Sequence, residues 1–229
     1  EMQRSLVGSE MCIRDSFKTD DLKKCSRFWI ILFKTILSKL YHWKIYVVGS
    51  VEYQYPNHLF QAGYFLDKKY YDENTIDFKH LFLSEKNQSL LKDIQNSNSV
   101  GVHIRRGDYM TKQNLVIFGN ICTQKYYHDA IRIITEKVND AVFYVFSDDI
   151  SWVQTHLDIP NAVYVNWNTG ESSIYDMYLM SSCKYNIIAN STFSYWAARL
   201  NKKTNMVIYP SKWYNTFTPD IFPESWCGI

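Results

Sequence analysis

From Val100 to Tyr209 short apolar runs alternate with longer stretches whose apolar residues recur at helical spacing. Val100–Arg105 (VGVHIR) predicts a strand. Gln124–Val138 predicts a helix, with Tyr127, Ile131 and Ile134 on one stripe. Val142–Ser147 (VFYVFS) is a β-rich apolar run typical of a buried parallel strand. Asp149–His156 then predicts a short helix and Val163–Trp167 a strand. Ser173–Ser182 predicts a helix carrying Met177 and Met180, and Asn186–Asn190 a strand. Thr192–Asn201 predicts a helix, and Met206–Tyr209 the last strand before Pro210. Strands and helices alternating over short loops argue for an α/β fold, a parallel sheet of Rossmann type with helices on both faces. Before Val100 the pattern is weaker: Ile45–Val48 reads as a strand and Leu90–Ile94 as part of a helix. Asn96-Ser97-Asn98-Ser99 reads as a polar linker and domain boundary. The tail from Lys212 to Ile229, with Pro219 and Pro223, is expected to pack back as loops and a short helix.

Composition narrows the classes. Of 229 residues, 46% are hydrophobic and 21% charged, values of a globular chain and not of a disordered one. A net charge of +2 excludes capture of polyanions by bulk charge. With no RRM-like or KH-like motif beside it, nucleic acid is not an expected partner. The five cysteines are odd in number and lack CxxC spacing, which argues against a disulfide framework or a zinc site and suits a reducing compartment. Phe28–Leu40 (FWIILFKTILSKL) is interrupted by Lys34, Ser38 and Lys39, so it is too short to span a bilayer. Its spacing suits an amphipathic helix, either core or a membrane-surface face, and both readings stand. A cytoplasmic location, with peripheral attachment to an inner membrane if that face is used, is the matching expectation. Glu1–Ser16 has no periodicity and no signal-peptide pattern, and Gly8–Asp15 (GSEMCIRD) resembles the translation of a transposase adapter. These residues are expected to be non-native, with the native amino terminus missing.

Candidate chemistry gathers at three strand ends. In Gly101–Tyr109 (GVHIRRGDY), alternation puts Val100, Val102 and Ile104 toward the core and His103 and Arg105 on the other side. Arg105, Arg106 and Asp108 fall at the carboxyl end of the strand, the edge where open parallel sheets bind ligands. Two arginines beside a carboxylate suit a diphosphate, because guanidinium groups fork onto phosphate oxygens while the acid fixes one of them. A surface ion pair between Arg106 and Asp108 is the plainer reading. Ser147-Asp148-Asp149 follows a buried strand; it serves either as a helix cap or, through Asp148, as an acceptor for a guanine base. Asn190-Ser191-Thr192-Phe193 is again strand end into helix. Ser191 suits an N-cap, and the free N–H groups of Thr192 and Phe193 offer an anion site. Three such sites on one sheet describe a nucleotide-diphosphate pocket.

These residues carry a family likeness. HIRRGDY at His103–Tyr109 resembles the first signature of the α-1,2-fucosyltransferases of glycosyltransferase family 11, and FYVFSDD at Phe143–Asp149 is similar to the second. The third and most specific is Asp176–Asn201, DMYLMSSCKYNIIANSTFSYWAARLN; Gly63–Tyr71, Pro210–Trp213 and Pro223–Trp226 also fit. The resemblance implies a GT-B-like architecture and a GDP-L-fucose donor. It implies inverting transfer to the 2-hydroxyl of a terminal β-galactoside glycan acceptor, without cofactor or metal. By resemblance, Arg105 and Asp108 are catalytic, with Arg105 on the β-phosphate and Arg106 and Asp108 in support. His103 and Asp148 contact the guanosine end, and Asn190, Ser191, Thr192 and Phe193 complete the donor-binding set around the phosphates.

One departure stands out. The family's early Gly-Gly-Leu-Gly-Asn-Gln motif has no counterpart here, in keeping with the adapter-like start. The expected organisation is therefore a non-native segment at 1–16, the remnant of an amino-terminal acceptor-side α/β domain at 17–95, and a GDP-fucose-binding domain at 96–229. Trp43, Tyr64 and Phe65 are candidate sugar platforms, with core packing as the alternative. A non-catalytic nucleotide- or glycan-binding fragment is the rival function.

Overall fold

In a computed structural model of the chain, the described residues are 46–49, 60–63, 77–78 and 81–229. They fall into two compact units. One contains a parallel pair of strands, β1 (Tyr46–Gly49) and β2 (Phe60–Gly63), in register from Tyr46 opposite Phe60 to Gly49 opposite Gly63. The Phe28–Leu40 helix, the three candidate sugar platforms and the Glu1–Ser16 segment lie outside the described residues.

The other unit runs from Asp77 to Thr218 and from Phe222 to Ile229. Helix α1 (Glu85–Asn96) opens it, capped by Ser84, whose hydroxyl accepts from the Asn87 amide. Strand β3 (Asn98–Ile104) follows after one turn residue, then a 3₁₀ turn (Gly107–Met110), α2 (Lys112–Phe118) and α3 (Gln124–Lys137). Next come β4 (Ala141–Ser147), α4 (Ile150–His156), β5 (Ala162–Val165) and α5 (Ser173–Ser181). The chain closes with β6 (Tyr185–Ile187), α6 (Thr192–Arg199), β7 (Met206–Tyr209) and β8 (Cys227–Gly228).

The six strands form one sheet in the order β5-β4-β3-β6-β7-β8, every pair parallel. From β3 the chain steps outward through β4 to β5, then returns to lay β6 on the opposite side of β3. The order reverses between β3 and β6, and the carboxyl edge of a doubly wound sheet at such a reversal is where ligands bind. The α/β parallel sheet expected from the sequence is thus the observed one.

Helices cover both faces. On one, Tyr127, Ala130, Ile131 and Ile134 of α3 and Val153 of α4 pack on Val100, Val102, Ile104, Phe143 and Val145. On the other, Leu90 and Ile94 of α1, Met177 and Met180 of α5, and Ala197 and Ala198 of α6 pack on Tyr144, Phe146, Ile188 and Val207. His103 therefore does not face an open side: only 5% of its surface is exposed. A parallel sheet buries both sets of alternating residues, so alternation could not separate core from solvent. Gly101 is required by this packing. A Cβ there would sit 2.8 Å from the Asn186 side chain and 3.0 Å from Met180.

Two expectations change. Asn96-Ser97-Asn98-Ser99 is not a linker: it ends α1, turns at Ser97 and starts β3, with the Ser97 hydroxyl donating to the Asp93 carbonyl. The tail forms no helix. It adds β8 beside β7 and covers the sheet edge with aromatic rings. Tyr195 meets Trp213, Phe222 and Trp226 edge-on, and Tyr209 stacks on Phe222 at 3.8 Å. Tyr195, Tyr209, Trp213, Phe222 and Trp226 thus form one aromatic cluster under the tail. No helix among the described residues is long and apolar enough to cross a membrane.

Candidate donor site at the β3/β6 switch point

The carboxyl ends of β3, β4 and β6 bring the three predicted motifs to one edge. Arg105 leaves β3 and is held from two sides. Its Nη2 donates to Asp108 Oδ1 at 2.7 Å, and its Nη1 lies 2.9 Å from Asp148 Oδ2. Asp108 reaches back because the 3₁₀ turn folds residues 107–110 under the strand end. Asp148 reaches across because β4 lies beside β3, with Ile104 opposite Ser147. The other Asp148 oxygen accepts the Arg106 backbone N–H at 2.9 Å. A guanidinium carries five N–H donors in a fixed fork, so this clamp leaves Arg105, whose side chain is 32% exposed, with donors for a ligand.

The turn has room for this only because residue 107 is glycine. A Cβ there would lie 2.5 Å from Asp148 Oδ2 and 3.2 Å from its Cγ. The backbone is not in the left-handed region, so the need is for space.

Arg106 is spent differently. Its guanidinium lies 3.7 Å over the Trp152 ring and its Nε donates to Asp149 Oδ2 at 3.2 Å. Trp152 is itself stacked on His156 at 4.6 Å. Asp149 also caps α4, accepting from the Trp152 amide at 3.1 Å. The capping reading of Ser147-Asp148-Asp149 thus holds for Asp149, while Asp148 binds the arginine turn.

At the β6 end, Ser191 occupies the N-cap position of α6, yet its side chain makes no capping bond. The Ser194 hydroxyl turns back to the carbonyls of Ala189 and Ser191. The first amides of α6 therefore keep the anion-binding capacity of a helix start. Phe193 extends over β3, its ring 5.1 Å from that of His103. Burial, with a smaller contribution from Arg105, lowers the His103 pKa to about 3, so the imidazole is neutral at pH 7. Its Nδ1 is buried and has no partner among the described residues. A buried polar atom without a partner costs about 1–3 kcal/mol.

Asn190 lies in the motif but faces inward. Its amide donates to the Phe118 and Trp213 carbonyls at 3.2 and 3.0 Å, and its Oδ1 accepts from the Cys122 thiol. Burial pushes that thiol up to about 12, so it stays protonated.

Sequence reasoning passed over three features. Tyr109 and Trp152 support the arginine turn, and Asn87, Asn168 and Asp176 form a separate network between α1 and α5. Asn168 donates to Asp176 at 2.6 Å and to Asn87 at 3.2 Å, and Trp167 donates to Asn87 at 2.7 Å. The available signal was a polar residue, Asn87, in step with Leu90 and Ile94 on the buried stripe of α1.

A family model, Glycosyl transferase family 11, matches residues 22–229. The chain belongs to glycosyl transferase family 11. Among its relatives, an alpha-1,2-colitosyltransferase of Escherichia coli is 34% identical over 96% of this chain and 77% of the relative. The O-antigen biosynthesis glycosyltransferase WbnK of Escherichia coli is 35% identical over 82% of this chain and 66% of the relative. A galactoside alpha-(1,2)-fucosyltransferase 2 of Pongo pygmaeus is 28% identical over 66% of this chain; the match spans about half, 48%, of that relative. Among solved structures, fucosyltransferase NodZ from Bradyrhizobium aligns over 81% of this chain and 62% of its own, with 15% identity and a TM-score of 0.43. The chain is thus a glycosyltransferase-family protein, and two of these relatives are named for α-1,2 transfer.

Proposed function

We propose that this family 11 glycosyltransferase moves L-fucose from GDP-L-fucose to the 2-hydroxyl of a terminal β-galactoside, with inversion, in a GT-B-like arrangement. The observation that carries the reading is the Arg105 clamp facing an uncapped helix start across the β3/β6 reversal. As the sugar's C1–O bond breaks, its electron pair passes to the β-phosphate oxygen. Arg105 meets that growing charge already oriented, which is the form of electrostatic stabilisation that lowers a barrier. Asp108 and Asp148 hold the guanidinium plane. Asp148, both oxygens engaged, serves the arginine and not the guanine, while His103 contacts the guanosine end. Ser191, Thr192 and the Phe193 amide hold phosphate. The acceptor hydroxyl attacks C1 from the face opposite the diphosphate, which inverts the centre, and gives its proton to a base or to water.

A second reading, transfer of colitose, is supported by the 34% identical colitosyltransferase. Incubation with GDP-fucose or with activated colitose, and a panel of galactosides, separates them. An α-1,2-fucosylated product is expected. Colitose transfer alone would replace the donor, and GDP binding without any transfer would leave a binding module.

A further inference from the structure

We infer that Tyr109 is a positioning residue that locks the arginine turn to the start of α6, so that the two parts of the diphosphate site keep a fixed spacing. The inference rests on the donor-site reading above. Tyr109 sits in the 3₁₀ turn next to Asp108. Its hydroxyl donates to the Asn190 carbonyl at 2.9 Å, one residue before the N-cap of α6. Its ring lies 5.6 Å from the Arg105 guanidinium carbon, within cation–π range, and stacks on Phe118 at 4.6 Å. Phe118 is fixed in turn by the Asn190 amide, which holds its carbonyl. Asn190 thus grips the far end of α2 with its side chain and the turn before α2 with its backbone.

The tie crosses 81 residues of sequence. Nothing else described joins the turn carrying Arg105 to the Asn190–Ser191 corner by a direct hydrogen bond. Burial pushes the Tyr109 phenol well above its ordinary range, so the hydroxyl remains a donor across the working pH. Without it the turn would hold Arg105 through Asp108 and Asp148 alone, and the guanidinium could drift relative to the α6 amides.

The test is Tyr109→Phe in the whole chain, which keeps the ring and removes one O–H. Binding of GDP and of guanosine is measured by calorimetry, and amide hydrogen exchange is followed by mass spectrometry. GDP affinity should fall about fivefold, the effect of one ordinary hydrogen bond, while guanosine affinity holds. Exchange should quicken at Ser191 and Tyr195, whose amides donate to the Ala189 and Ser191 carbonyls, as well as at Met110 and Thr111, whose amides close the 3₁₀ turn. Asn215→Ala is the control for general loosening. Asn215 donates to the carbonyls of Val116 and Gly119 at the end of α2 and touches neither Arg105 nor Asn190. It should lower thermal stability and leave the GDP-to-guanosine ratio unchanged. Equal losses for GDP and guanosine in Tyr109→Phe, or faster exchange confined to Met110 and Thr111, would overturn the inference. Should the unsubstituted chain bind no GDP, the donor-site reading falls, and exchange at Ser191 and Tyr195 still decides the tie.

Discussion

Gly107→Ala is a small change with a calculable consequence. The added Cβ would stand 2.5 Å from Asp148 Oδ2, where ordinary contact needs about 3.4 Å or more. Asp148 must retreat by roughly 1 Å. It cannot do so and keep both its 2.9 Å contacts, to the Arg106 amide and to Arg105 Nη1. Hydrogen bonds to charged groups are worth about 1.5–3 kcal/mol, discounted here because both side chains are partly exposed. Loss of one should cost about 1–2 kcal/mol in orienting Arg105, or roughly a 5- to 30-fold weaker grip on GDP. Gly107 is exposed and not in the left-handed region, so the fold itself should be little affected. Calorimetry with GDP reads the first quantity and thermal unfolding the second. The decisive form is a cycle with Asp148→Ala. Once the carboxylate is gone the extra methyl meets only the Cβ of residue 148, at an ordinary 3.9 Å, so Gly107→Ala should add little on that background. If the two losses simply add, the collision between residue 107 and Asp148 is not what the glycine avoids.

Arg105→Ala should lower transfer by more than 100-fold, since it removes the charge that meets the leaving diphosphate; Arg105→Lys should recover little, because a point charge cannot span both carboxylates. Unchanged turnover in the alanine variant would refute the assignment. Burial raises the Asp176 pKa from 3.8 to about 7, partly offset by the Asn168 hydrogen bond. A carboxyl whose folded pKa is raised contributes stability that is full below pH 4 and is lost as pH climbs through 7. The swing is at most about 4 kcal/mol, at 1.36 kcal/mol per unit. Thermal stability should therefore fall between about pH 4 and 7, and Asp176→Asn should flatten that slope; an unaltered slope would place the titration elsewhere.

The sheet was readable because its strands are short β-branched and aromatic runs spaced by amphipathic helices, and that pattern is local. Met206–Tyr209 matches the expectation residue for residue, and β3, β4 and α3 differ only at their ends. The strand ends could be placed at one edge because parallel connectivity puts every carboxyl end there. What escaped depends on partners distant in sequence. Helix α2 has seven residues, under two turns, so its periodicity could not register, although Thr111 and Gly119 mark its ends. The tail's shape is set by rings of Tyr195 on α6 and Tyr209 on β7, which the tail's own sequence does not contain. The division of labour between the arginines was equally hidden. Only the fold shows that Trp152 and Asp149 hold Arg106 while Asp108 and Asp148 clamp Arg105.

The claim that a nucleoside diphosphate sits at the β3/β6 reversal is tested most directly by hydrogen exchange of the whole chain with and without GDP. Protection should appear at residues 105–109 and 191–194 and disappear in Arg105→Ala. A cavity of about 440 Å³ at the opposite edge of the sheet, lined by Thr135, Asp140, Phe143 and Asn161, provides an internal comparison. Protection there, with none at the arginine turn and the start of α6, would contradict the account.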